Sequence, residues 1–294
     1  MTAVAGRDLL PVADGVLGQA DTENFPVALR LLPAARREDL LAVYGYARFV
    51  DDVGDELEGT PEQRLAALDE VEHELDRTFS GNPGHPVFRR LAVTIDRCRL
   101  AREPFAALIE ANRMDQRVAS YATFDALLGY CRLSADPVGR LVLGVFGEST
   151  PERERLSDLV CSGLQVVEHL QDVREDAGRG RVYLPGEDLA RFGVDPTILD
   201  RHLEGAPTPD PVRRLVAFEV TRTRAMLREG AALVGALDRF DAALAVAGFV
   251  AGGLAQLDHI ERCGYDVLGR QLKAPARAVA AGAARHLWRR WRAR

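Results

Sequence analysis

The chain has 294 residues, 47% of them hydrophobic and only 6% aromatic, with 38 basic against 44 acidic residues, a net charge of -6 and a pI near 5.6. That length can bury a sizeable core as one domain or two closely packed ones, and the acidic balance argues against a general nucleic-acid binder. Scarce aromatics beside abundant alanine, leucine and arginine favour helix over sheet.

Four cysteines, at 98, 131, 161 and 263, form no C-x-x-C pair and read as core thiols rather than as a zinc site. Charged residues interrupt every apolar run before Thr22, so no signal peptide is expected. The longest uncharged stretch, 242–257, is too short to span a bilayer and reads as a buried core helix. These features predict a reducing, cytoplasmic location.

Residues 1–21 read as a flexible lead-in. Apolar positions Leu41, Val43, Tyr44, Phe49 and Val50 predict a mostly buried helix over 38–57. Gly59-Thr60-Pro61 ends it and starts the next, with Thr60 as N-cap and Pro61 in the first turn. Leu65, Leu68, Val71 and Leu75 give 61–79 a clear amphipathic stripe, and 80–84 is a turn cluster. Further helices are predicted over 85–99, 102–117, 123–146 and 149–176. A glycine-bearing loop follows at 177–185, and turn residues break up 186–210. Helices resume over 209–235 and 239–262, with a last one after Pro275. No repeat or long strand pattern appears, so the expectation is one all-α domain over 1–294.

Two acidic segments interrupt this apolar pattern. In Asp51-Asp52-Val53-Gly54-Asp55, Asp51 and Asp55 stand four apart on one helical face, with Arg48 and Tyr44 one and two turns earlier. In Gln165-Val166-Val167-Glu168-His169-Leu170-Gln171-Asp172, continuing to Asp176, Glu168, Asp172 and Asp176 form a stripe with Gln165 at its start. Unpaired carboxylates on a buried helix are costly, so acids so placed are expected to meet a cation, an arginine or water. Two such helices, antiparallel across a cavity, would make an oxygen cage suited to Mg²⁺, which binds through a few carboxylates and bridges to phosphates. Neither a G-x-x-x-x-G-K loop, nor G-x-G-x-x-G, nor a G-x-S-x-G elbow occurs.

Four segments together resemble the squalene/phytoene synthase family. They are Glu23-Asn24-Phe25-Pro26-Val27, the stretch from Tyr44 to Asp55, Tyr130-Cys131-Arg132-Leu133-Ser134-Ala135-Asp136-Pro137-Val138-Gly139, and the second acidic motif with Gly180-Arg181-Val182-Tyr183-Leu184-Pro185. The likeness runs from Glu23 to about Leu268 and is greatest to the hydroxysqualene branch. It implies an isoprenoid synthase-type helical bundle around a central cavity, with Mg²⁺ held by Asp51, Asp55, Asp172 and Asp176; Glu168, on the same acidic stripe, is expected to join them. It also implies diphosphate contacts from Tyr44, Arg48 and Gln165, a cavity tyrosine at Tyr130, and substrate contacts from Asn24 and Phe25. Tyr130, Arg48 and Tyr44 are the expected catalytic groups.

Where family members commonly carry Val-Ala-Gly, this chain has Ser134-Ala135-Asp136-Pro137. That form resembles the branch that hydrates presqualene diphosphate to hydroxysqualene, a carbon–oxygen lyase reaction in squalene and hopanoid biosynthesis. A condensing synthase making presqualene diphosphate, squalene or phytoene is the alternative enzyme, and a non-catalytic helical assembly protein is the alternative of another class. Glu168 and Gln171 depart from the asparagine and arginine common in the family. His169 reads as structural, off the acidic stripe. The segment 275–294 reads as a basic amphipathic tail, in which Leu287, Trp288 and Trp291 amid arginines suit peripheral contact with an anionic membrane. The expected partners are an isoprenoid diphosphate, presqualene or alternatively farnesyl diphosphate, and functionally a presqualene diphosphate synthase. No nucleic acid is expected.

Overall fold

The computed structural model of the chain describes residues 32–201, 206–269, 272 and 276–293. Asn24, Phe25 and the lead-in therefore lie outside the described residues. Among the described residues the structure is helical, and the sole strand-like feature is an isolated bridge between Ser120 and Val182. The all-α expectation holds. The chain forms two compact units, one from Met1–Val118 with Pro137–Ser149 and the other from Ala119–Asp136 with Thr150–Arg294.

The first unit carries α1 (Ala34–Asp51), which continues as a π-turn over Asp52–Glu56, then α2 (Pro61–Phe79), α3 (Pro86–Cys98) and α4 (Glu103–Asp115). Thr60 caps α2 as its sequence foretells: its hydroxyl accepts from the Gln63 amide while the Gln63 side chain accepts from the Thr60 amide. The core forms around Tyr46, whose ring meets Phe88 and Phe105 edge-on at 5.5 and 5.1 Å and whose hydroxyl donates to the Phe105 carbonyl at 2.9 Å. Asp39 is buried yet satisfied, accepting from Thr94 Oγ1 at 2.9 Å and Arg97 Nε at 3.1 Å.

The helix expected over 123–146 is two helices, α5 (Phe124–Ser134) and α6 (Asp136–Phe146). Pro137 explains the break, because it brings no amide proton to the carbonyl four residues earlier. The helix expected over 149–176 is likewise divided, into α7 (Pro151–Gln171) and α8 (Val173–Gly178), with Asp172 at the junction in a non-helical conformation (φ -104°, ψ 16°).

In the second unit α9 (Gly186–Phe192) and α10 (Thr197–Arg201) fill the region read as broken, followed by α11 (Asp210–Gly230), α12 (Ala232–Ala236), α13 (Phe240–Arg262) and α14 (Ala276–Ala293). α7 and α11 pack closely because Gly230 has no Cβ. One there would lie 2.7 Å from Val160 Cγ2 and 3.0 Å from the Val160 amide nitrogen. Arg222 ties three elements together, its guanidinium 3.5 Å from the centre of the Phe124 ring, 2.8 Å from Asp188 and 2.5 Å from Glu219. α13 is long and apolar enough to cross a membrane by length and composition, but 61% of its most apolar window is buried inside the protein, as expected of a core helix.

Arg290 of α14 is buried. Its guanidinium donates to the carbonyls of Val234 and Leu237 at 2.8 and 2.5 Å and to that of Asp238 at 3.1 Å, closing the C-terminal end of α12. The tail is therefore a docked helix through this residue, while Trp288 stays 55% exposed.

Candidate active site

In the first unit the acidic motif spans the end of α1 and the π-turn. Asp51 and Asp55 are exposed, and Asp51 Oδ1 accepts from Asn112 Nδ2 at 3.0 Å. Desolvation pushes the Asp51 carboxyl up to about 6, the Asn112 bond works against this, and the neighbouring Asp55 charge adds to the rise. Since the side chain remains open to water, the rise reflects crowding by surrounding protein rather than enclosure. Arg48 lies on the same stretch, with Nε 2.8 Å from Asp52 and Nη2 2.7 Å from Glu56. Its charge is thus shared with two acids. Tyr44 stands one turn before Arg48, half-buried.

In the second unit Asp172 occupies the α7–α8 junction. Desolvation and the nearby Glu175 and Asp176 push its carboxyl up to about 6, with Arg179 acting in the opposite sense. Glu168 is exposed in the last turn of α7. His169 is buried between the two ends of the motif: its Nε2 is 3.3 Å from Gln165 Nε2 and its Nδ1 is 3.8 Å from Asp176 Oδ2. Burial lowers the pKa of this imidazole, so it is held neutral near pH 7.

Tyr130 is buried within an aromatic group that the sequence did not disclose. Its ring centre lies 5.5 Å from Tyr121 and 5.9 Å from Tyr183, and Tyr183 stacks on His169 at 3.6 Å. A void of about 10 Å³, room for roughly one water, lies among His169, Asp176, Tyr183 and their apolar neighbours.

Asn112, Gly54, Gln116, Tyr121 and Tyr183 are the site neighbours that sequence reasoning missed as such. One signal was present for Asn112, which falls at helical spacing on the apolar stripe of Phe105, Leu108 and Ile109. A polar residue there needs a partner.

Among the described residues no three His, Cys, Asp or Glu side chains gather into a ready-made metal cage. The donor chemistry nevertheless fits Mg²⁺. Each motif offers hard carboxylate oxygens, and in each a crowded aspartate is poorly compensated by protein cations. A few carboxylates completed by water and phosphate oxygens is the ordinary way Mg²⁺ is held.

A squalene/phytoene synthase family model matches residues 19–278. The chain belongs to this family. Squalene/phytoene synthases are isoprenoid enzymes, and the match spans both units and both acidic motifs. The chain is 36% identical over 202 residues to the presqualene diphosphate synthase of Zymomonas mobilis, covering 68% of each chain. It is 33% identical over 218 residues to the hydroxysqualene synthase of the same organism, covering 73% of this chain and 71% of the relative. The crystal structure of squalene synthase HpnC from Alicyclobacillus acidocaldarius superposes with a TM-score of 0.78 at 44% identity, covering 85% of this chain and 92% of that one. The isoprenoid synthase-type helical fold is thereby established.

Proposed function

We propose that this squalene/phytoene synthase converts presqualene diphosphate and water into hydroxysqualene and diphosphate, as a carbon–oxygen lyase of squalene and hopanoid biosynthesis. The observation that carries the reading is the pair of crowded acidic sets, Asp51 beside Asp55 and Asp172 beside Asp176, in which the Asp51 and Asp172 carboxyls are each pushed up to about 6 and call for cations. Each set would hold Mg²⁺ for a substrate diphosphate. Mg²⁺, when bound, would neutralise the departing diphosphate. Arg48 and Tyr44 would assist at its oxygens, and Gln165 would line the second set. The carbon–oxygen bond breaks, the cyclopropylcarbinyl cation rearranges, and water adds with release of a proton. Tyr130, backed by Tyr121 and Tyr183, would present ring faces to the cation.

The choice of product rests on Ser134-Ala135-Asp136-Pro137. Asp136 is buried and accepts a 2.7 Å hydrogen bond from Ser162 Oγ of α7, so the aspartate that departs from Val-Ala-Gly has a fixed partner. A condensing synthase acting on farnesyl diphosphate is favoured instead by the 36% identity to a presqualene diphosphate synthase. Purified protein with Mg²⁺ and either farnesyl or presqualene diphosphate, followed by mass spectrometry of the lipid, decides between them. Hydroxysqualene from presqualene diphosphate alone is expected. Presqualene diphosphate, squalene or phytoene formed from farnesyl diphosphate would overturn the assignment, and no diphosphate release from either would leave the assembly-protein reading. A presqualene diphosphate synthase would supply the substrate.

Glu168→Asn restores the common family residue. Removing a carboxylate beside the second set is expected to raise the Mg²⁺ concentration for half-maximal rate several-fold, measured by titration at saturating substrate. An unchanged requirement would place Glu168 outside the metal's reach.

A further inference from the structure

The end of α4 grips the π-turn that carries the first acidic motif. Asn112 is buried, and its Nδ2 donates twice, to Asp51 Oδ1 at 3.0 Å and to the Leu108 carbonyl at 3.1 Å. Both acceptors lack a proton to give, so the amide can face only one way. Its oxygen then lies against Gly54: a Cβ at that position would stand 2.0 Å from Asn112 Oδ1 and 2.9 Å from Cγ. One turn later Gln116 Nε2 donates to the Gly54 carbonyl at 2.9 Å and to the Asn112 carbonyl at 3.2 Å. The chain leaves the helix at Leu57 (φ -61°, ψ 122°), so Gly54 is among the last residues whose carbonyls have no later helical amide, and Gln116 supplies the missing donor.

We infer that Asn112 is a positioning residue that aims Asp51 at its metal, and that Gly54 is glycine because any side chain would push Asn112 off. This rests on the proposed role of Asp51 as a Mg²⁺ ligand. A carboxylate bound to a metal through one oxygen uses the other to fix its orientation, and the partner on that second oxygen sets how readily the ligand meets the ion. Asn112 suits the task better than a lysine or arginine would, because it orients Asp51 without bringing a positive charge to compete with Mg²⁺.

The test uses the full-length protein with Mg²⁺ and inorganic pyrophosphate as probe, read by calorimetric affinity and by the melting shift the probe produces, neither of which needs turnover. Asn112→Ala and Gly54→Ala are each expected to weaken Mg²⁺–pyrophosphate binding about 10-fold, the usual cost of losing a ligand's outer partner. The double variant should be no weaker than either alone, since Gly54→Ala acts only by displacing Asn112. Asn112→Leu, isosteric and seated beside Leu108 and Ile109, retains the packing and should show the same loss should Gly54→Ala fold poorly. Wild-type affinity in Asn112→Leu, or losses that multiply in the double variant, would overturn the inference even where Asp51→Asn abolishes binding. Wild-type affinity in Asp51→Asn as well would overturn the metal reading along with it.

Discussion

Replacing Asp51, Asp55, Asp172 or Asp176 with asparagine is expected to cut turnover about 100-fold or more while the protein stays folded, the scale on which loss of one electrostatic contact to a departing charge is felt. Release of pyrophosphate is the measurement, and full activity in any two variants would sink the metal reading. Stability supplies a second and independent readout. The Asp51 and Asp172 carboxyls are pushed up to about 6, above the value they would have in the unfolded chain. An acid raised in this way is most compatible with folding when protonated, below about pH 4, and becomes a cost as pH climbs through about 6. Asparagine carries no charge at any pH. The melting temperature of Asp51→Asn or Asp172→Asn should therefore match or exceed wild type at pH 7.5, and the advantage should vanish near pH 4. A lower melting temperature at pH 7.5 would mean that these carboxylates are held by protein cations instead.

Arg290→Ala should be among the most destabilising single changes near the C-terminus, on the order of 3 kcal/mol, because it removes a buried charged donor from three carbonyls. Thermal or urea unfolding of the metal-free protein checks it, and a change below about 0.5 kcal/mol, the range of an ordinary surface substitution, would show the cap to be dispensable. The same contact decides how membrane attachment must be tested. Cutting the chain after Arg285 would remove Arg290 along with the tryptophans and confuse unfolding with loss of an anchor. Trp288→Ala alters an exposed residue and leaves the cap in place. We propose that Trp288 rests on anionic lipid, so Trp288→Ala should reduce vesicle co-sedimentation at low salt while the protein stays folded. Equal sedimentation would remove Trp288 from any lipid contact.

Much of the fold was legible because local chemistry marks it. Thr60, Pro61 and Gln63 announce a capped helix in any context, and α2 begins where they stand. Pro137 was also visible, yet the strong apolar period on either side of it suggested one helix where the chain makes two. The break at Asp172 carries no proline or glycine, so nothing local discloses it, and the even stripe of Glu168, Asp172 and Asp176 is in fact divided between α7 and α8. The acidic motifs were legible as charges on apolar helices. Their surroundings were not. Asn112 lies 61 residues from Asp51 and Tyr183 lies 53 from Tyr130, and side chains so far apart in sequence meet only through packing.

A π-turn is an α-helix holding one residue too many, and the five residues Asp52–Glu56 hold that surplus. Deleting any one of Asp52, Val53 or Gly54 would let the segment relax into an unbroken α-helix, leaving Asp51 and Asp55 three residues apart and still on neighbouring positions of its surface. What would be lost is the bulge itself, whose Gly54 carbonyl takes the Gln116 amide and whose Gly54 leaves room for the Asn112 oxygen. The count of residues in this turn thus sets how α4 holds it, rather than whether the two acids share a face. In this stretch of chain a point substitution can adjust one contact, whereas the loss of one codon would shift the contacts with α4 together.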